Sequence, residues 1–394
     1  MPSNHTERTG RNSRILAGSA LAALLLLVLL YASRRDAPLP VPTVPPVVPP
    51  AVTAVGPFTV LDNGRWTRSF RAADGTLYLK GKLQSRGGGR TLQPQTGVDV
   101  EDINGAPERA ILARPGMFYA LDGPVEFVSP GVYEVRAWRS TDELKTLGTE
   151  TVRIEVPDGP RRKRQADEWY GLYVYRTIIE MPDGSWLATM YGNFEEDTLP
   201  PPDRSSKREV KYMMRAFVVT SLDRGRSWQY LSTIAAPRPE DPIGEGFVEP
   251  ALTRLTDGRL LSVMRTGHHY PLYAAWSSDG GKSWTAPVYT GLDRGADPCL
   301  ITLSDGRVAL SWGRRYPEGW SRLDEEGDAA RFSYPGDGIV NLALSDDGGK
   351  TWTNHRIARG MGSCYSTIFE VEPDILFFQV DQWIWRANLR RKQG

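Results

Sequence analysis

The chain has 394 residues, with 48 Lys and Arg against 47 Asp and Glu, a net charge of +1. That balance excludes a nucleic-acid binder, which needs a basic excess to neutralise phosphates. Its 39 Gly, 30 Pro and 12 Trp exclude a helical bundle and suit many short strands with tight turns; the length suits one large all-β domain with appendages.

The first element in chain order is an uncharged apolar run, Ile15 to Tyr31 (ILAGSALAALLLLVLLY). Arg8, Arg11 and Arg14 precede it, so residues 1–14 are expected to stay in the cytoplasm. The run is near the lower limit for a spanning helix and the upper limit for a signal-peptide core. Its exit, LLYASRRDA, lacks a clean pair of small residues for cleavage. We therefore expect a transmembrane signal anchor over 15–31 and a membrane-anchored, extracytoplasmic remainder, secreted if the segment is cleaved. Residues 32–55 are a Pro-rich linker, in which APLPVPTVPPVVPP (37–50) predicts a semi-rigid polyproline II stalk.

Repeats dominate the rest of the chain. SLDRGRSW (221–228), SSDGGKSW (277–284) and SDDGGKTW (345–352) share the pattern Ser-x-Asp-x-Gly-x-Ser/Thr-Trp, and SRGGGRTL (85–92) and STDELKTL (140–147) read as degraded copies. In each, the Asp can accept backbone N–H groups inside a turn and the Gly supplies positive φ. The Trp is expected to pack between neighbouring sheets. Asp223, Asp279 and Asp347 therefore read as structural staples, not catalytic acids. A second repeated element, MPDGSWLA (181–188), LTDGRLLS (255–262) and LSDGRVAL (303–310), sets Asp-Gly between apolar runs and predicts hairpins. Each unit then reads strand, Asp-Gly turn, strand, longer loop, strand, box, strand, which is one four-stranded propeller blade.

Residues 56–394 hold about six such units of roughly 55 residues. The last strands, STIFEVEPDILFFQV and QWIWRANL, are expected to close the ring with an N-terminal strand near FTVLDNGRW. The fold expected is all-β, a six-bladed β-propeller behind an N-terminal transmembrane helix and Pro-rich stalk. Residues 56–157 read either as its first blades or as a separate β domain on a smaller propeller.

A propeller binds its ligand at the mouth of the central channel, where the innermost strands begin. YRTIIEM (175–181), VEPALTRL (248–255), DPCLITL (297–303) and CYSTIFEV (364–371) place Arg176, Glu249, Asp297 and Tyr365 near one rim. Charged residues opening apolar strands are costly unless paired or used. The plainer alternatives are an inter-blade ion pair for Arg176, a packed channel aromatic for Tyr365, and pairing of Glu249 with Arg265. Cys299 and Cys364 read as a permitted disulfide in an oxidising compartment or as two small buried hydrophobes. No spacing suggests a metal site, and no cofactor is expected.

On these boxes and segments the chain resembles the sialidase (neuraminidase; BNR, Asp-box) superfamily, over about 168–394. The resemblance implies a retaining exo-α-sialidase-type hydrolase acting on glycans. Tyr365 in CYSTIF matches the nucleophilic tyrosine, Glu249 in EPALTRLTDGRLLSVMR the glutamate that activates it, and Arg176 and Arg265 the arginines that grip a substrate carboxylate. A tyrosine nucleophile keeps a second carboxylate away from an anionic sugar. Asp197 in FEEDTLPPPD is the choice for the acid over Glu195, Glu196 and Asp203. The third arginine's place, in YPGDGIVNLALS, holds Asp337 or Gly338, so Arg314 or Arg331 has to substitute. Asp297 and His268 complete the expected substrate-binding set. Two other readings stand beside this one. One is a polysaccharide lyase using His268 or His269 with a Tyr such as Tyr270. The other is a non-catalytic carbohydrate-binding propeller, with Tyr316, Trp320 and Trp383 available to stack on sugar rings.

Overall fold

Turn chemistry sets the pattern of the strands, and packing between sheets completes it. The computed structural model describes residues 53–60, 68–104, 109–162, 170–202, 210–241, 243–267, 270–292, 295–314, 339–359, 365–380 and 383–389. Among the described residues every element is a strand except a one-turn helix, α1 (Glu101–Asn104). β1 (Thr53–Val60) is followed by a four-stranded sheet of β2 (Phe70–Arg71), β3 (Leu77–Leu79), β4 (Leu83–Ser85) and β5 (Gln93–Pro94). After α1 come β6 (Ala110–Arg114), β7 (Met117–Leu121), β8 (Glu126–Ser129), β9 (Val132–Ser140) and β10 (Gly148–Glu155). Next are β11 (Leu172–Glu180), β12 (Trp186–Gly192), β13 (Arg215–Ser221) and β14 (Ser227–Ala235).

These nine strands, β6 to β14, form one sheet that reads as two units stitched together. β10 pairs antiparallel with β9 and parallel with β14 at Arg153↔Ser227, while β6 meets β11 at Thr177↔Ile111. Two four-stranded sheets come next. The first comprises β15 (Val248–Arg254), β16 (Leu260–Arg265), β17 (Tyr273–Ser277) and β18 (Val288–Tyr289). The second comprises β19 (Ala296–Thr302), β20 (Val308–Arg314), β21 (Ile339–Ser345) and β22 (Thr353–Arg359). Finally β23 (Ser366–Glu372), β24 (Ile375–Val380) and β25 (Trp383–Asn388) take β1 as their fourth strand, in register Thr53↔Asn388. The innermost strands β6, β11, β15, β19 and β23 pack each against the next. This is the arrangement of a β-propeller. Central strands β12 and β16 are buried along their whole length, which is why they read as unbroken apolar runs rather than as alternation.

The boxes are built as staples. In the box at 221–228, Gly225 N–H donates to Ser221 Oγ (2.7 Å), Ser227 N–H to Asp223 Oδ1 (2.9 Å) and Ser227 Oγ to Asp223 Oδ2 (2.6 Å). The same bonds recur around Asp279 and Asp347. They recur too around Asp142, where Leu144 N–H donates to Ser140 Oγ (2.9 Å) and Thr146 N–H to Asp142 Oδ1 (2.9 Å). Each box needs two successive left-handed residues: Arg224–Gly225 (φ 59 and 81), Gly280–Gly281 (76 and 86), Gly348–Gly349 (73 and 89) and Glu143–Leu144 (59 and 61). These turns dock on the preceding unit, with Tyr119 OH donating to Gly225 O (2.7 Å) and Trp276 Nε1 to Gly348 O (2.8 Å). A Cβ on Gly225 would lie 2.7 Å from Tyr119 Cζ, so only glycine fits there. Trp228 is buried against Tyr119 and Trp186.

Within each unit adjacent strands are antiparallel. The Asp-Gly turns and the boxes therefore share one face, and the longer loops and the heads of the inner strands share the other. Among the described residues no helix is long and apolar enough to cross a membrane. The expected anchor at 15–31 and the stalk at 37–50 lie outside the described residues.

Candidate active site

Three consecutive inner strands open in the same strained way. Arg176 in β11, Glu249 in β15 and Asp297 in β19 have φ of 61°, 49° and 52°. Each sits where the pairing register breaks, at Val174/Ile178, Val248/Ala251 and Ala296/Cys299. A bulge re-aims a side chain, and a non-glycine residue held left-handed costs about 1–3 kcal/mol, which persists only where the surroundings over-determine it. All three side chains are buried, at 3%, 5% and 0% exposure.

They meet one another. Arg176 Nε donates to Asp297 Oδ1 (3.1 Å) and its Nη2 to Asp297 Oδ2, while the Tyr175 hydroxyl also donates to Asp297 Oδ1. Asp297 N–H donates to Glu249 Oε2 (2.8 Å). Arg265, at the end of β16 and opposite Val248 in the hairpin, forms ion pairs with Glu249 (Nε to Oε2, 2.9 Å) and Glu245 (Nη2 to Oε2, 2.8 Å). Arg68 donates from Nη2 to the Arg176 carbonyl (3.1 Å) and from Nη1 to that of Arg109. The inter-blade ion pair of Arg176 and the pairing of Glu249 with Arg265, expected as the plainer alternatives, are both formed.

Burial dominates the electrostatics. It pushes the Asp297 carboxyl up, to about 7, with the Glu249 carboxylate adding to the rise and Arg176 and Tyr175 opposing it. Burial, then Asp297 and Glu249, hold the Tyr175 hydroxyl well above the ordinary tyrosine range. Burial, with Arg176 nearby, lowers Arg68 to about 10. A carboxyl raised toward neutrality meets one condition for a general acid, while both of its oxygens accept hydrogen bonds from Arg176 and Tyr175.

Tyr365 directly precedes β23, is buried, and packs against Ala296, the neighbour of Asp297. Asp197 lies in the loop after β12, where Arg215 clamps it (Nε to Oδ2 2.9 Å, Nε to Oδ1 3.2 Å) and the Phe194 N–H donates to it (2.7 Å). The same Arg215 reaches Glu196 at 2.8 Å. The hydrogen bonds of Asp197 thus tie its own loop to β13. Cys299 is a buried free cysteine. His268, His269, Asp203, Tyr316, Trp320, Arg331, Asp337, Gly338 and Cys364 lie outside the described residues, as do the side chains of Arg314 and Trp383. Among the described residues no three His, Cys, Asp or Glu converge as a metal site.

Three members of the set escape the sequence reading. Tyr175 adjoins Arg176 within the same inner-strand segment, Glu245 precedes Glu249 in GEGFVEP, and Arg68 stands just before β2. A second polar residue in the segment leading into an inner strand is the signal that would have found the first two.

The residues from 117 to 377 match a family model described as a BNR repeat-like domain. No curated protein matches the sequence. Among solved structures, a protein of unknown function from Dyadobacter fermentans is 16% identical, with 86% of this chain and 100% of that one covered and a TM-score of 0.56. A Hadza microbial sialidase is 14% identical, with 82% of this chain and 65% of that one covered and a TM-score of 0.53. The chain therefore spans just under two thirds of that sialidase's length. At such identities the likeness is one of fold.

Proposed function

The chain belongs to the BNR repeat-like domain family, and from that, with its likeness in fold to a sialidase, we propose that it is a glycoside hydrolase acting on glycans outside the cytoplasm. Its six sheet units are read as one six-bladed propeller over 56–394, held to the membrane by the 15–31 anchor and its stalk. The observation that carries the reading is the set formed by Arg176, Glu249 and Asp297. Three adjacent inner strands spend backbone strain to bring charged side chains together at their heads, and strain of this kind clusters at functional sites.

In the exo-α-sialidase form of the reading, Tyr365 is the nucleophile and Glu249 accepts its phenolic proton. Asp197 is held by Arg215 and Asp297 by Arg176; of the two, Asp297, whose buried carboxyl is raised to about 7, is taken as the leaving-group acid, acting in its protonated fraction. A retaining reaction then runs through a covalent glycosyl-tyrosine that water resolves. A glycan-binding propeller without catalysis is the second reading, favoured by the pairing of Arg176 with Asp297 and of Glu249 with Arg265, which engages the charged groups with one another.

The test is hydrolysis of an aryl sialoside and a panel of neutral aryl glycosides by the wild type, Tyr365→Phe and Glu249→Gln. Loss of turnover by about three orders of magnitude in each variant, with folding unchanged, is the expected result. Undiminished turnover in Tyr365→Phe removes the tyrosine mechanism. Absence of turnover on every glycoside by the wild type favours the binding-only reading.

A further inference from the structure

We infer that the sugar taken at the inner-strand heads carries no carboxylate, and that the centre is built for the hydroxyls of an uncharged glycan. The inference rests on the reading of the ligand as a glycan, but not on its being cleaved.

A two-pronged grip on a carboxylate needs an open guanidinium edge, two parallel N–H groups facing the ligand. Arg176 turns its Nε and Nη2 edge onto Asp297. Arg265 spends Nε on Glu249 and Nη2 on Glu245. Arg68 spends both terminal nitrogens on the carbonyls of Arg109 and Arg176. These forks are closed by the chain's own oxygens. Arg176 Nη1 is buried and without a hydrogen-bond partner among the described residues. It is a single donor on the guanidinium that Asp297 already holds.

An incoming carboxylate accepts hydrogen bonds and donates none. Among the described residues it would find that one donor, beside the Asp297–Glu249 pair in a poorly solvated site, where like charges repel strongly. To open the fork of Arg176 it would have to displace Asp297, leaving that buried group without its cation. A sugar hydroxyl avoids both difficulties. It can accept from Arg176 Nη1 and donate its own proton to a carboxylate, so each group it meets gains a partner.

The full-length chain in detergent, at neutral pH, would be tested for retention on immobilised neutral oligosaccharides and on their sialylated and glucuronate-bearing counterparts. Turnover of the matching aryl glycosides would be measured in parallel. Neutral glycans should be retained at least tenfold better than the carboxylated ones. Glu245→Gln, a near-isosteric change that removes one of the two carboxylates on Arg265, should narrow that preference, with its melting temperature checked to confirm folding. Equal or better retention of sialylated or glucuronate ligands by the wild type overturns the inference while leaving the hydrolase reading intact. Retention of neutral glycans without turnover of any glycoside sustains the inference and sinks hydrolysis. Retention of no glycan overturns it as well.

Discussion

Asp297 is the residue whose chemistry depends most on where it is held. In water its carboxyl would be ionised at neutral pH; burial and Glu249 raise it to about 7, and Arg176 and the Tyr175 hydroxyl limit the rise. If Asp297 is the acid, the competent form is the protonated one, present below that value and lost as pH rises through it. The rate, measured as kcat/KM, should therefore fall on the alkaline side of about pH 7. Tyr175→Phe removes a hydrogen bond that favours the ionised carboxylate, so the alkaline limb should move to higher pH. A limb that stays in place would mean that another group titrates. The measurement is a pH–rate profile of wild type and variant, on whichever glycoside is turned over.

At the scale of the element, the boxes show how one turn recurs with different residues. The turn demands two left-handed residues in succession, and glycine meets that demand without strain. Where Arg224 or Glu143 occupies the first of the two places, the backbone bears a cost of about 1–2 kcal/mol. Arg224 is exposed and its side chain has no role in the turn. Arg224→Gly should relieve the strain, lose part of the gain to the greater freedom of the unfolded chain, and stabilise by about 0.5–1 kcal/mol net. Trp228→Ala should do the opposite, costing about 3–5 kcal/mol, because it empties a buried site between two units. Thermal melting of the two variants decides. A stable but inactive Trp228→Ala protein would contradict the staple role and tie the box to chemistry.

For the whole molecule the decisive contact is between its two ends. β1 supplies the fourth strand of the last sheet by pairing with β25, so the segment just after the Pro-rich stretch is itself part of the fold. Removing residues 1–50 should leave a soluble, folded protein. Removing 1–60 should expose β25 as an unpaired edge and promote aggregation. The two truncations differ only in the closing strand, so similar melting temperatures would deny β1 its role. The full chain should stay with membranes through a high-salt wash and leave them with detergent, as a spanning helix does.

Much of this was legible in the order of residues alone, because it depends on local chemistry. Asp-Gly between apolar runs makes a hairpin, and Ser-x-Asp-x-Gly-x-Ser/Thr-Trp makes the stapled turn, whatever surrounds them. The hairpin spacing that sets Arg265 across from the strand of Glu249 is equally local. The box at 140–147 was harder to read, because Leu144 stands where glycine is usual and only the completed turn shows that it adopts glycine's conformation. Only the tertiary structure decided which charges meet. Arg176 and Asp297 are 121 residues apart in the chain, and no local pattern says that one closes the other's fork or that Tyr175 shares the same carboxyl. Nor could composition say that Asp197 is committed to Arg215. The reason is physical: a titratable group's chemistry is set by what desolvates and pairs with it, and in a propeller those neighbours come from other blades.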